Sequence, residues 1–86
     1  MDFPPPYSRR RLLVVADADP SAIARVIERF QNLNILPRRL SAEFSSNDLV
    51  HIEVDVCGIP DEQLILIVGK ILQATSIVDA YWHRLD

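Results

Sequence analysis

Residues 50–57 carry the pattern that most restricts how this chain can fold. Val50, Ile52, Val54 and Val56 alternate with His51, Glu53, Asp55 and Cys57. An extended strand turns successive side chains to opposite faces, so this alternation predicts a strand with one buried face and one wet face. A sheet of that kind needs a layer on its apolar side only, which directs attention to the helices that could supply it.

Two helices are predicted. Asp17-Ala18-Asp19-Pro20 stops an apolar run, Leu12 to Ala16, whose β-branched residues suit a central strand buried on both faces. Asp19 is placed to cap the following helix, and Pro20 suits its first position because it has no N–H to lose. Ile23, Val26, Ile27 and Phe30 then recur at helical spacing along one face, with Arg25, Glu28 and Arg29 on the other. Asn34 is the expected left-handed residue beyond the last turn.

The second helix follows Gly58-Ile59-Pro60, with Asp61 and Glu62 favouring its positive amino end. Its expected buried face is Leu64, Val68, Ile71 and Leu72, widened by Ile65, Leu66 and Ile67. Lys70 sits near its end.

Two further strands complete the order. One runs from about Leu36 to Phe44, with Leu40, Ala42 and Phe44 on one side and Arg39, Ser41 and Glu43 on the other. Ser45-Ser46-Asn47-Asp48 turns it into the alternating strand. The last runs from about Ile77 to Arg84, with one of Tyr81 and Trp82 packed under the second helix and the other pointing outward. The sum is an α+β fold of the ferredoxin-like kind, βαββαβ. It is a four-stranded antiparallel sheet with both helices on one face, right-handed crossovers, and the first and third strands in the middle.

Residues 1–8 contain three consecutive prolines and read as a disordered tail, leaving residues 9–86 as one domain. A core of that size is marginal alone, yet 49% of the chain is hydrophobic, so self-association is the default expectation. The net charge of −3 offers no basic surface for nucleic acid or anionic membrane. Arg9-Arg10-Arg11 and Arg38-Arg39 read as solvated strand ends. A single cysteine excludes an intrachain disulfide and a cysteine metal cluster. No long apolar run or signal segment occurs, which points to the cytoplasm.

No catalytic constellation is found. His51 and His83 lack a ligand set and His51 fits a polar row; Cys57 has no adjoining positive group; no strained serine elbow or phosphate loop occurs. The acidic loop after the first strand lacks the arginine and glycines of an acylphosphatase, and the first and third strands lack the aromatics of an RNA-recognition domain. No metal, cofactor or enzymatic activity is expected.

Taken together these elements resemble an ACT domain, in particular the small regulatory subunits of acetolactate synthase. The resemblance spans Arg11 to Tyr81. It rests on Asp19-Pro20-Ser21-Ala22-Ile23-Ala24-Arg25-Val26-Ile27, on Phe30 and Leu40, and on Glu62-Gln63-Leu64 and Lys70-Ile71-Leu72. It implies a non-catalytic homodimer of branched-chain amino acid biosynthesis that binds an amino-acid effector, a catalytic subunit such as acetolactate synthase, or both. The effector site would comprise Asp17, Ala18, Asp19, Pro20, Ser21 and Leu36. In the family, glycine usually stands at the place of Ser21 and asparagines at those of Ala18 and Leu36. These departures leave a second reading open, a protein-interaction or dimerisation domain with no remaining ligand site.

Overall fold

The computed structural model describes residues 8–85, which form β1 (Arg9–Asp17), α1 (Pro20–Asn32), β2 (Arg39–Phe44), β3 (Leu49–Cys57), α2 (Asp61–Ile71) and β4 (Ile77–Arg84). The strands make one antiparallel sheet in the order β2-β3-β1-β4. This is the anticipated ferredoxin-like, ACT-type βαββαβ fold, with β1 and β3 in the middle. The predicted tail lies outside the described residues except for Ser8, whose carbonyl accepts from Gly58 N at 3.2 Å.

The inward row is the alternation seen in the sequence. Val50, Ile52, Val54 and Val56 of β3 lie beside Leu12, Val14 and Ala16 of β1, all at most 1% exposed. Ala80 and Trp82 extend this layer across β4, while Tyr81 points outward. Above it, α1 buries Ala22, Val26 and Phe30, and α2 buries Leu64, Ile67 and Ile71.

Several expectations are corrected. The face of α1 is rotated, so Ala22 is buried and Ile27 is 41% exposed. A small residue at position 22 lets the helix lie close to the sheet, and hydrophobicity alone cannot signal that. On α2, Ile67 is buried while Leu72, Ile65 and Leu66 are exposed; a helix apolar nearly all round does not encode its own rotation. The second strand begins at Arg39 rather than Leu36, because Pro37 has no N–H to give the ladder. β1 begins earlier than its apolar run, at Arg9, and its outward residues Leu13 and Val15 are half-buried rather than fully covered. Arg10 is no solvated strand end. It lies in phase with Leu12 and Val14 and is 7% exposed.

The outward face forms a grid of three rows across β2, β3, β1 and β4. Pairing aligns Arg39, Asp55, Arg11 and His83; then Ser41, Glu53, Leu13 and Tyr81; then Glu43, His51, Val15 and Asp79. Val78 is the extra residue where the β1–β4 register shifts, and this bulge closes the last row.

Candidate functional site

The turn from β1 into α1 brings Asp17, Ala18, Asp19, Pro20 and Ser21 together, all exposed. The backbone amides of Asp17, Ala18 and Ser21 are already engaged. Asp17 N donates to Ser76 O at 2.8 Å and Ala18 N to Asp48 O at 3.0 Å. Asp19 is the N-cap, as the sequence suggests: its Oδ1 accepts from Ser21 N at 2.9 Å, and its carbonyl accepts from Ala22 N at 2.9 Å. The Ser21 N–H bond holds the Asp19 carboxyl below the usual carboxylate range. The chain's own carboxylate therefore occupies the amide at position 21 that would greet an incoming anion.

Leu36, the remaining expected site residue, is not at this turn. It stands in the loop before β2, 88% exposed, at the opposite end of α1. Thirteen helical residues separate the two ends, a span of about 20 Å. No single copy of the chain unites the six residues. Asn34, in the same loop, takes φ 57°, the left-handed conformation expected of a helix-ending residue.

Around Leu36 the structure opens a groove of roughly 480 Å³ lined by Ile27, Phe30, Gln31, Asn34, Ile35 and Pro37. Leu40 and Phe44, on the helix side of β2, are likewise uncovered, at 41% and 64% exposed. The sequence marks those residues as one side of a strand but not that the helices would leave them bare.

A second feature escaped sequence reading. Arg10 reaches inward at the start of β1, where its Nε donates to Asp61 Oδ1 at 3.1 Å and its guanidinium lies 5.9 Å from the centre of the Trp82 ring. Asp61 also accepts from Arg84 at 3.0 Å. Burial pushes the Asp61 carboxyl up, but the bonds from Arg10 and Arg84 outweigh it and hold the group below its ordinary value. The trio ties the head of α2 to β1 and β4. Continuing the period-two pattern backward from Leu12 would have found Arg10.

On the outer face, Arg11 holds Asp55 through two bonds of 2.7 and 3.0 Å, and Glu53 and Arg39 complete an ion-pair group. Arg11 lowers the Asp55 carboxyl, and Asp55 raises Arg11. Among the described residues no group of three or more His, Cys, Asp and Glu could hold a metal ion, and no helix is long and apolar enough to cross a membrane.

No family model matches the chain, and no curated protein matches it in sequence. Solved structures do. The ACT domain of GTP pyrophosphokinase from Chlorobium tepidum superposes with a TM-score of 0.74 at 5% identity, covering 88% of this chain and 97% of that one. The C-terminal domain of MgtC from Mycobacterium tuberculosis gives 0.73 at 14% identity, over 90% and 86%. A homoserine dehydrogenase from Thiobacillus denitrificans gives 0.76 at 14% identity; the match covers 92% of this chain but 17% of the enzyme. At these identities the likeness is one of fold: the chain has the ferredoxin-like, ACT-type architecture.

Proposed function

We propose that this chain is a non-catalytic regulatory module of amino-acid metabolism. It works as a homodimer joined through β2 and α1 and acts on a catalytic partner of the acetolactate synthase kind. The observation that carries this reading is the uncovered edge. Among the described residues β2 has no strand on its outer side, its helix-facing residues Leu40 and Phe44 are exposed, and so are Ile27 of α1 and Leu36, which line one groove. Such an edge invites pairing with another strand.

Antiparallel pairing of β2 with β2 of a second copy would extend the sheet and set the two α1 helices side by side, head to tail. The turn at residues 17–21 of one copy would then face Leu36 of the other. The split effector site becomes whole only in that arrangement, and an amino acid bound there would bias the dimer by linkage.

The occupied amide at Ser21 favours a second reading, in which the dimer is an assembly module without an effector. The two are separable. Phe44→Asp should convert the dimer to monomer in sedimentation equilibrium while leaving the fold intact; a natural chain that is monomeric at micromolar concentration overturns the dimer. Titration calorimetry with valine and leucine then decides the effector. Weak or absent binding by the natural chain, strengthened in the Ser21→Gly, Ala18→Asn double variant, supports the site at residues 17–21. No binding by either protein favours the assembly reading.

A further inference from the structure

The outward face of the sheet is self-complementary, and we infer that it receives the same face of a second copy, so that two side-by-side dimers stack sheet against sheet into a tetramer. This rests on the dimer proposed above. The end row near the start of β1 carries Arg39 and His83 at its two edges, and the row at the other end carries Glu43 and Asp79 at the corresponding edges. A two-fold axis lying between the sheets, perpendicular to the strands and passing over the middle row, exchanges these rows. Arg39 then lies over Glu43 of the other copy, His83 over Asp79, and Asp55 over His51.

A two-fold axis along the strands would instead set Glu43 over Asp79, like against like, and would gain only Asp55 over Arg11, two groups that each chain already pairs within itself. Charge thus selects one orientation. The middle row meets itself, giving Leu13 and Tyr81 apolar self-contacts along that row. Tyr81 is 48% exposed and free to make them. Glu53 also meets its own copy, but Arg11 and Arg39 lie 3.4 and 3.5 Å from its carboxylate and offset that repulsion. Sheets packed about 10 Å apart leave room for side chains of this length.

Area explains why the dimer is needed first. Four strands at about 4.8 Å spacing and about 20 Å in length present roughly 400 Å² of flat face. A lasting interface takes about 800 Å² per partner. Two copies joined at β2 supply that.

Sedimentation velocity on the full chain tests the inference. A tetramer is expected at about 0.1 M salt and a dimer at about 1 M, where the Debye length falls from about 10 to about 3 Å. Glu43→Arg, which breaks no ion pair within its own chain, should raise the dimer–tetramer dissociation constant at least about tenfold. Glu28→Arg, an equal charge change on the helix side, should leave the tetramer unaltered. Tyr81→Arg, which sets like charges over each other in the middle row, gives an independent second disruption. A dimer at every salt concentration, or a tetramer indifferent to Glu43→Arg and Tyr81→Arg, overturns the stacking and leaves the β2 dimer standing. A dimer that Glu43→Arg abolishes and Phe44→Asp does not supports the face and overturns the β2 seam. Monomer alone overturns both.

Discussion

β3 and β2 are neighbours in one sheet, paired residue for residue from Arg39 opposite Asp55 to Phe44 opposite Val50, yet they differ sharply in environment. Val50, Ile52, Val54 and Val56 are sealed, whereas Leu40, Ala42 and Phe44, which lie beside them on the same face, remain exposed. Two helices span about two to three strands, and here they cover β3, β1 and β4. The same alternation of apolar and polar residues therefore makes core in one strand and candidate interface in the next. An apolar strand face is an instruction to be covered, but not by any particular partner.

The comparison predicts unequal responses to substitution. The largest effect should come from Val54→Asp, which sets an unpaired charge in the centre of the core and should cost several kcal/mol, on the order of the whole stability. Glu53→Lys, one residue away but outward, should leave a folded protein; equal thermal melts for the two variants would show that the faces of β3 are misassigned.

Ile52→Ala should cost roughly 2–5 kcal/mol in denaturant unfolding. Leu40→Ala on β2 should cost well under about 1 kcal/mol in dilute solution, where the chain is monomeric. A loss at Leu40 that appears only as concentration rises would mark β2 as an interface. A loss independent of concentration would mean that its apolar face is covered within the monomer.

Asp61→Ala probes the far end of the central strands. It removes charged hydrogen bonds to Arg10, which is buried, and to Arg84, so a clear drop in the denaturation midpoint is expected. Removing the longer ion pairs of the exposed Arg39, at 3.5 and 3.8 Å, should cost less than about 1 kcal/mol, and chemical denaturation of Arg39→Ala measures it.

The smallest effect concerns acid. Asp19, Asp55 and Asp61 all titrate below the ordinary carboxylate range in the folded protein. Their contribution is complete above that range and is lost as pH falls below about 4 through the lowered folded values. The urea midpoint should drop between about pH 5 and about pH 3, and Asp55→Asn should flatten that slope. An unchanged slope in the variant would mean that the Arg11–Asp55 pair is not retained in solution.

Much of the fold is legible in the residues because its signals are local. The turn at Asp19-Pro20, the left-handed Asn34 and the alternation of β3 each act over a few residues, and each stands where the sequence puts it. The misreadings lie where a choice depends on something distant. The rotation of α2 could not be read from Leu64 to Leu72, since nearly every residue there would accept burial. The inward reach of Arg10 depends on Asp61, 51 residues away.

The six residues of the expected site show the same division. Five are adjacent in sequence and therefore share one turn, whatever the rest of the chain does. Within one chain Leu36 does not join them, because the length of α1 holds it at the far end. The sequence by itself determined the order of strands and helices and the two faces of β3, because period and capping are properties of neighbouring residues. Only the tertiary structure decided which apolar surfaces became core and that the amides of Asp17 and Ala18 are taken up by Ser76 and Asp48, because both depend on what distant segments have already covered.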